Sequence, residues 1–382
     1  MEENSRKIKI PIEVFIKRSW PILALGAVLL VFAIGALVWF AVSGKGRRNM
    51  QANATSTADT IEVTTTTGDL IPRSLDGVLV TPDESRLQPF AVMVENQIDA
   101  RPMLGPAKAN IVFEMPVEGG ITRYLLLFDA TSTVDAIGPV RSARPYYVDI
   151  ADGFNAVYAH VGGSPDALTK IGTISGFRNL DEFSSGKYFW RSTKRSAPHN
   201  TYTRMDLLQS AAAAKKWPTG HFTAWHYKDD SQMESTTGTV RGDKDGPSLK
   251  YGGSYNVEWK FDKQKNIYVR YEGGSIQKDQ DGEVVTAHNV IVLETDGSVL
   301  DNVGRLQIRT TGKGSAVLYR DGRSDKLVWR RTSGENFRWE TVDGADALLN
   351  RGTTWVEVTM NPRVYTMESP TTGTTTTSGQ TQ

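Results

Sequence analysis

The chain has 382 residues, a formal net charge of +1 and no cysteine. The near-neutral charge argues against bulk electrostatic binding to nucleic acid. The missing thiols exclude disulfides, thiolate metal sites, a cysteine nucleophile and a lipid-modified cysteine.

The first feature along the chain is an apolar run at residues 20–42 that contains no charged side chain. At 1.5 Å per helical residue the run reaches roughly 34 Å, enough to cross a hydrocarbon core of about 30 Å. More basic residues precede the run than follow it, which predicts that residues 1–19 are cytoplasmic and the remainder extracytoplasmic. A cleavable signal peptide is the alternative, because residues 41–43 resemble a cleavage site, but its apolar core would be shorter. We therefore predict a single-pass protein of the cell membrane with an uncleaved signal anchor.

Two segments have a composition that does not favour a packed core. Residues 43–74 contain Lys and Arg followed by Asn, Ser and Thr, and residues 365–382 are rich in Thr, Ser, Gly and Gln. Such segments bury too little apolar surface to offset the entropy lost on ordering. The first is predicted to be a flexible stalk and the second a disordered tail.

The composition between them is globular and predicts an α+β fold. Residues 75–220 form a mixed α/β-type domain with a hairpin at Gly119-Gly120, since paired glycines supply the positive φ of a tight turn. Its predicted elements are a buried strand at 90–95, antiparallel strands at 110–117 and 122–128, and helices after Pro145, from Ser164 and through 205–216.

The second globular segment, residues 221–364, is predicted to be a β-rich domain. Short apolar or alternating runs are separated by Gly and Asp, which is typical of strands joined by turns. The predicted strands are 257–261, 267–271, 290–293, 306–310, 316–319, 327–331 and 355–358.

Several motifs give the chain a specific resemblance. Among them are residues 91–96 (AVMVEN), 117–123 (VEGGITR), 138–144 (GPVRSAR), 160–165 (HVGGSP) and 197–200 (APHN). Through these motifs, and more loosely through its C-terminal half, the chain resembles the YerB-like lipoprotein family. The resemblance implies a two-domain extracytoplasmic fold and carries no catalytic residues. Because this chain has no cysteine to carry a lipid, the run at 20–42 is expected to replace a lipid anchor.

The most suggestive local pattern is an apolar strand that ends at His160 and is followed by Gly162, Gly163 and Ser164. A glycine turn that opens a helix offers free N–H groups and the positive end of the helix dipole to an anion. The alternative is an ordinary strand–turn–helix junction in which Ser164 caps the helix.

Arginines add to this pattern at Arg141 and Arg144, with Arg123 in the same predicted domain. Paired guanidinium groups suit bidentate recognition of carboxylate or phosphate. The alternative is that Arg141 and Arg144 pair with acids such as Glu114, Glu118 or Asp149, and Arg123 is a further partner for a hairpin acid. The candidate ligand-binding residues are Arg141, Ser142, Arg144, His160, Gly162, Gly163, Ser164, His199, Asn200, Glu118 and Arg123.

Enzymatic alternatives remain open at this stage. Glu114 and Glu118 could divide acid and base roles if they share a strand face, and His160 or His199 could activate Ser142 or Ser164. No G-x-S-x-G elbow supports a serine nucleophile. The spacing of His221 and His226 lacks the H-E-x-x-H context of a zinc site.

The tryptophans of the second half, including Trp259 and Trp355, could stack on sugars but are typical of core and cross-strand pairs. The sequence therefore favours a membrane-anchored binding or scaffolding protein of the cell envelope, with a polar cleft that contains Arg141, Arg144, His160, Ser164 and His199. The expected ligand is an anionic envelope component, such as cell-wall polymer, or a peptide of an envelope protein. A cell-wall hydrolase or transferase is the alternative. No cofactor, metal or nucleic acid is expected.

Overall fold

The computed structural model describes residues 70–86, 88–229, 231–232, 242–360 and 367–368. The predicted membrane anchor at 20–42 and its cytoplasmic flank at 1–19 lie outside this range, as do most residues of the predicted stalk and tail. No helix within the described ranges is long and apolar enough to cross a membrane.

The described chain is rich in strands and contains few α-helices. The strands are β1 (Ile71–Pro72), β2 (Leu79–Val80), β3 (Phe90–Glu95), β4 (Ile111–Pro116), β5 (Thr122–Phe128), β6 (Val157–His160), β7 (Asn179–Asp181), β8 (Trp190–Arg191), β9 (Thr201–Tyr202), β10 (His226–Tyr227), β11 (Ser248–Leu249), β12 (Val257–Asp262), β13 (Ile267–Glu272), β14 (Ser275–Ile276), β15 (Thr286–Ala287), β16 (Asn289–Thr295), β17 (Gly297–Val299), β18 (Leu306–Ile308), β19 (Gly312–Arg320), β20 (Arg323–Arg331), β21 (Arg338–Thr341), β22 (Leu348–Leu349), β23 (Thr354–Met360) and β24 (Met367–Glu368).

The helices are α1 (Pro145–Gly153), α2 (Pro165–Thr173), α3 (Glu182–Ser185) and α4 (Met205–Ala214). Short 3-10 helices occur at Pro82–Glu84, Ile98–Ala100, Pro106–Lys108, Glu118–Gly120, Gly186–Tyr188 and Gly253–Tyr255.

A ten-stranded sheet runs through both halves of the chain, in the order β21-β20-β19-β16-β23-β4-β5-β3-β6-β7. The join between the halves is the parallel pair of β23 and β4, in which Thr354 lies opposite Ile111. A second sheet is formed by β11 to β15 and β24. The sequence predicted the two halves as successive domains, and it did not reveal that strands of the second half extend the sheet of the first.

Six neighbouring or near-neighbouring strands of the large sheet, together with β20 further along, run in the same direction. β16, β23 and β4 are mutually parallel, β3, β6 and β7 are mutually parallel, and β5 runs antiparallel to both β4 and β3. The carboxyl ends of these six strands therefore meet at one edge of the sheet. Ligands of α/β proteins commonly bind at such an edge.

Both faces of the large sheet are covered, which explains the continuous apolar sequence of β3 and β5. One face buries Met93 and Phe113 against α1, α2 and the aromatic residues of the second half. The other face buries Val92 and Trp355 against α4 and the smaller sheet. Each apolar strand is consequently buried on both sides, and a charged side chain within it must find a partner inside the protein.

The predicted local elements are confirmed in the main. β4 and β5 form the expected antiparallel pair, with positive φ at Gly119 and Gly120. Helices begin at Pro145 and Pro165, and Ser164 caps the second through its hydroxyl. The seven strands predicted after residue 250 are all present.

Two boundaries differ from the sequence-based expectation. Residues 71–72, at the end of the predicted stalk, pair with β2, and Arg73 bonds to Asp76 and Asp129. Within the predicted tail, β24 pairs with β11. Strands of only two residues leave too weak a compositional signal to be recognised.

A buried ionic network joins the two halves. Arg270 is fully buried and contacts Glu114, Glu272 and Glu357, while its guanidinium lies 4.7 Å from the ring centroid of Trp355. Glu114 also accepts a hydrogen bond from Thr122. Burial, together with the charge of Glu357, raises the pKa of Glu114 to about 8 despite Arg270. Glu114 therefore carries a proton over part of the neutral range and shares a hydrogen bond with Glu357.

Candidate functional site

The candidate site lies where β3, β4 and β6 end. Residues 138–144 cross this edge, because Glu95 N–H donates to the Pro139 carbonyl and Arg141 N–H donates to the Met93 carbonyl. The same segment continues beside β6, where Ala143 N–H donates to the Gly162 carbonyl. These backbone bonds fix the positions from which Arg141 and Arg144 extend.

Glu95 is the centre of one half of the site. Its carboxylate is buried and lies 3.0 Å from Arg141 Nε and 2.8 Å from His199 Nδ1. His199 is about one-fifth exposed, and its Nε2 has no hydrogen-bond partner among the residues that the structure describes. Arg141 and His199 therefore both contact Glu95, a residue that is not among the candidates indicated by the sequence.

Glu118 and Arg144 form the other half. Arg144 Nε and Nη2 donate to the two carboxylate oxygens of Glu118 at 2.6 and 2.7 Å, a bidentate pair. Burial alone would raise the pKa of Glu118, but the hydrogen bond and charge of Arg144 outweigh it and hold that pKa below its ordinary value. The ion-pair alternative is therefore correct for Arg144, whereas Arg141 pairs with Glu95 instead of the acids that were considered.

Arg123 lies between these two pairs and has no carboxylate of its own. Its side chain is buried, its Nη1 donates to the Ser142 carbonyl at 3.0 Å, and its buried Nε has no hydrogen-bond partner. No carboxylate in the described part of the chain lies within ion-pair distance of Arg123. Burial, followed by the charges of Arg144 and Arg141, lowers the pKa of Arg123 to about 10.

Tyr158 supplies a second unsatisfied polar group. Its hydroxyl is buried without a hydrogen-bond partner, and Tyr158 interacts electrostatically with Arg144 and Arg123. Burial raises the pKa of Tyr158 well above its ordinary value, so the hydroxyl remains protonated and can donate. We call Arg123, Arg141 and Arg144 the arginine cluster. With Glu95 and Glu118 it has three cationic and two anionic groups, an excess of one positive charge.

His160, which was predicted to line the cleft, is instead a structural residue. It is completely buried, its Nδ1 lies 2.7 Å from the Gly162 carbonyl oxygen and its Nε2 lies 2.6 Å from Asn179 Oδ1. Both ring nitrogens are therefore engaged inside the protein, and neither is free to act on a ligand.

The glycine turn is also used internally. Gly162 N–H donates to Asp181 Oδ1 at 2.8 Å, Ser164 N–H donates to the Ala143 carbonyl, and Ser164 Oγ accepts from Ala167 N–H. Gly163 packs closely against Ala143 and Leu168. The ordinary capped junction is therefore the correct interpretation, and the turn holds the arginine-bearing segment in place.

Other predicted residues also take different roles. Ser142 contributes its carbonyl oxygen to Arg123 rather than a nucleophilic hydroxyl, and Asn200 Oδ1 accepts from Arg191. Glu114 and Glu118 do not form an acid–base pair, because Glu114 belongs to the buried network around Arg270 and Glu118 belongs to Arg144. The five tryptophans of the second half, Trp225, Trp259, Trp329, Trp339 and Trp355, are all buried and form part of the core.

Two open cavities border this edge of the sheet. One of about 440 Å³ is lined by His199 together with Lys194, Arg195 and Asp99, among others. The other, of about 870 Å³, lies beside α1, α2 and the β17–β18 hairpin. Its charged lining consists of Asp149, Asp166, Asp296, Lys170 and Arg309. The excess positive charge of the smaller cavity makes it the better environment for an anion.

The sequence contained weak signals for the two residues it missed. Glu95 is the single charged residue at the end of the apolar run 90–95, and Tyr158 is a polar-tipped side chain within the apolar strand β6. A polar group in such a position must be paired inside the fold or must face a site.

These features define the class: a strand-rich, two-domain protein built on a mixed sheet with arginines at its carboxyl edge. Models of the N-terminal and C-terminal domains described as "Protein of unknown function (DUF3048)" match residues 75–218 and 248–356. The chain belongs to this family, and the YerB-like resemblance is confirmed.

Two comparisons with individual proteins agree with the family assignment. The chain is 30% identical over 289 residues to "Putative lipoprotein YerB" of Bacillus subtilis (strain 168), covering 74% of this chain and 85% of that protein. It is also similar to the crystal structure of YerB protein from Bacillus subtilis, with a TM-score of 0.69 and 27% identity. That match covers 78% of this chain and 99% of the solved chain.

Proposed function

We propose that this protein is an extracytoplasmic component of the cell envelope that binds an anionic group at the arginine cluster. The apolar run at 20–42 would anchor it, and the word lipoprotein in the name of its Bacillus subtilis relative supports a location at the outer face of a membrane. The second half of the chain, through the shared sheet, holds the edge on which the arginines lie.

The observation that carries the proposal is the state of Arg123. A buried guanidinium without a carboxylate is destabilising, because its lost hydration is not compensated. Arg123 has only a backbone carbonyl as partner and lies near two further arginines. An anion placed between Arg123 and Tyr158 would accept from both unsatisfied groups and balance the excess charge.

The chemistry of the site favours a carboxylate or phosphate group at the end of a larger molecule. Planar guanidinium groups match the oxygen spacing of both anions, and a protonated tyrosine hydroxyl adds a donor. The rest of the ligand would extend along the cavity beside His199, where Lys194 and Arg195 add positive charge. An acidic envelope polymer or a peptide segment of another envelope protein fits this description.

Calorimetric titration of the full-length chain in mild detergent tests the proposal, with inorganic phosphate and acetate as probes. We expect binding of at least one probe and a loss of at least about tenfold in affinity for Arg123→Gln, equivalent to about 1.4 kcal/mol. Arg331→Gln is the matched control, since Arg331 is also buried and donates to carbonyl oxygens. Equal affinities of the wild type and Arg123→Gln, or the absence of binding, would refute the proposal.

The Glu95–His199 pair supports a second candidate function, that of a hydrolase or transferase acting on cell-wall material. A carboxylate that orients one ring nitrogen of a histidine and leaves the other free is the arrangement of a general base. Release of soluble fragments from purified cell walls would test this function. Activity that disappears in His199→Asn, while phosphate binding persists, would establish it; inactivity of the wild type would exclude it.

A further inference from the structure

A second polar cluster lies away from the arginine cluster, where β10 and β22 end. It consists of Lys228, Asp321, Asn350 and Asn266, which are 7%, 4%, 0% and 8% exposed. Lysine is rarely buried to this extent, and none of the four residues belongs to the candidate anion site.

Asp321 connects the other three residues. Its Oδ2 lies 2.5 Å from Lys228 Nζ, and its Oδ1 accepts from the side-chain amides of Asn350 and Asn266, each at 2.8 Å. Asp321 occupies the tight turn between β19 and β20, where Asp321 and Gly322 both have positive φ. The carboxylate is therefore held rigidly between an amine and two carboxamides.

Backbone pairing places Lys228 beside Asn350. β10 and β22 are parallel, with Tyr227 opposite Leu349, and Lys228 N–H donates to the Leu349 carbonyl. Lys228 directly follows β10 and Asn350 directly follows β22, so the two residues lie opposite each other if the parallel register continues by one position. The backbone of Asn350 is fixed in turn by two hydrogen bonds with the Asn289 side chain.

We propose that Lys228 and Asn350 become joined by an intramolecular amide bond between Nζ and Cγ, formed by the folded protein itself. The lysine amine attacks Cγ of the carboxamide, and one Nζ proton passes to Asp321 Oδ2. The C–N bond to Nδ2 breaks as the protonated Asp321 carboxyl group returns this same proton to Nδ2, which leaves as ammonia. Amine and carboxamide become a secondary amide and ammonia, so the step is balanced without an oxidant or cofactor.

The environment favours each part of this reaction. Burial lowers the pKa of Lys228, outweighing the opposing effect of Asp321, which makes the neutral and nucleophilic amine more accessible. Although burial acts in the opposite direction, hydrogen bonds from Lys228 and the two asparagines hold the pKa of Asp321 below its ordinary value. The carboxylate is therefore ionised and available as a proton carrier.

The contacts of the Asn350 carboxamide also favour the reaction. Asn350 Oδ1 is buried and has no hydrogen-bond partner, whereas its Nδ2 lies against Asp321. Proximity of amine, carboxamide and proton carrier in a fixed arrangement replaces a bimolecular reaction by an intramolecular one, which is a large kinetic advantage. Asn266 also contacts Asp321, but β-sheet register places only Asn350 beside Lys228.

The consequence would be a covalent link in a chain that has no cysteine. The bond would tie the segment that enters the second half to the segment that leads into β23. Cross-links that close long loops restrict the unfolded chain, as disulfides do in other exported proteins.

Mass spectrometry of the full-length chain isolated from cells tests the proposal. We expect an intact mass lower by one ammonia molecule and a branched tryptic peptide in which residues 217–241 are attached to residues 339–351, uncleaved after Lys228. Unmodified peptides with normal cleavage after Lys228 would overturn the proposal.

Variants identify the partners in the bond. Asn350→Ala and Asp321→Ala should restore the unlinked mass and cleavage after Lys228, whereas Asn266→Ala should retain the branched peptide. The wild-type result alone decides whether a link exists, even if a variant folds poorly. A branched peptide through Asn266 would overturn the assignment to Asn350.

Discussion

Arg123 lies directly opposite Glu95 across β5 and β3, yet the two side chains do not form an ion pair. Glu95 is occupied by Arg141 and His199, and Arg123 turns to the Ser142 carbonyl. A cross-strand pair of opposite charges is normally stabilising. The separation of these two groups leaves one cation available to an external anion, which is the physical basis of the proposed site.

Removal of the charge of Arg123 and removal of the charge of Arg144 should have different effects on the free energy of unfolding. Arg123→Met in the absence of anion should leave the free energy of unfolding unchanged or raise it by about 1 kcal/mol, because an uncompensated buried charge is lost. Arg144→Met should lower it by about 2 kcal/mol, since Glu118 loses a bidentate partner in a half-buried position. Urea denaturation measures both values. If Arg123→Met lowered the free energy of unfolding as much as Arg144→Met does, Arg123 would have a structural role.

Tyr158 and Tyr147 provide a matched pair of buried hydroxyl groups. Tyr158→Phe should weaken phosphate binding by about 1 kcal/mol without loss of stability, because its hydroxyl has no partner in the protein. Tyr147→Phe should cost about 1–3 kcal/mol of stability, since its hydroxyl bonds to the Met115 backbone and the Arg123 carbonyl. Thermal unfolding and calorimetric titration distinguish the two effects. Unaltered binding in Tyr158→Phe would remove the hydroxyl from the proposed site.

The local elements were predictable because they depend on neighbouring residues. The glycine pair at 119–120, the Ser164 cap and the alternating strands of the second half each carry a local signal. The shared sheet could not be predicted in this way, since the pairing of Thr354 with Ile111 depends on burial of both strands in the folded protein.

The candidate site was predictable only in its residue types. Arg141, Arg144 and His199 were selected for their charge and position, but their partners come from distant segments: Glu95 for His199 and Glu118 for Arg144. His160 shows the converse difficulty, because a histidine beside glycines gives the same pattern whether it faces a cleft or is hydrogen-bonded inside the core. Partner choice is set by tertiary packing, which a linear pattern does not contain.

The buried network around Arg270 predicts a specific dependence of stability on pH. The pKa of Glu114 rises from its ordinary value of 4.5 to about 8, so the folded protein retains a proton that the unfolded chain releases in this range. The contribution of this proton to the free energy of unfolding is fully present below about pH 4.5 and is lost as the pH rises through about 8.

Glu114→Gln tests this dependence, because the amide cannot ionise. Between pH 5 and 8 Glu114 should cause the wild type to lose about 3–4 kcal/mol of unfolding free energy, and the variant should lose less. Urea denaturation at several pH values measures the difference. Exposed Glu258→Gln is the control and should follow the wild type. If the unfolding free energies of the wild type and Glu114→Gln changed with pH in parallel, Glu114 would be ionised in the folded protein.

Gly162 and Gly172 test how the glycine turn supports the arginine cluster. Gly162 has a φ of +55°, and a Cβ there would lie 2.6 Å from the Phe183 ring, whereas Gly172 lies within α2 with open space around a Cβ. Gly162→Ala should therefore lower the free energy of unfolding by about 1–2 kcal/mol. Gly172→Ala should raise it by about 0.5–1 kcal/mol through helix propensity.

The same pair separates stability from binding. Because Gly162 accepts the Ala143 N–H between Arg141 and Arg144, its displacement should shift both arginines and weaken phosphate binding several-fold at a temperature where the variant remains folded. Gly172→Ala should bind phosphate as the wild type does, although both substitutions add one methyl group. If Gly162→Ala lost stability but kept full affinity, the turn would support the fold without positioning the arginines, and the anion would have to be held by Arg123 and Tyr158 alone.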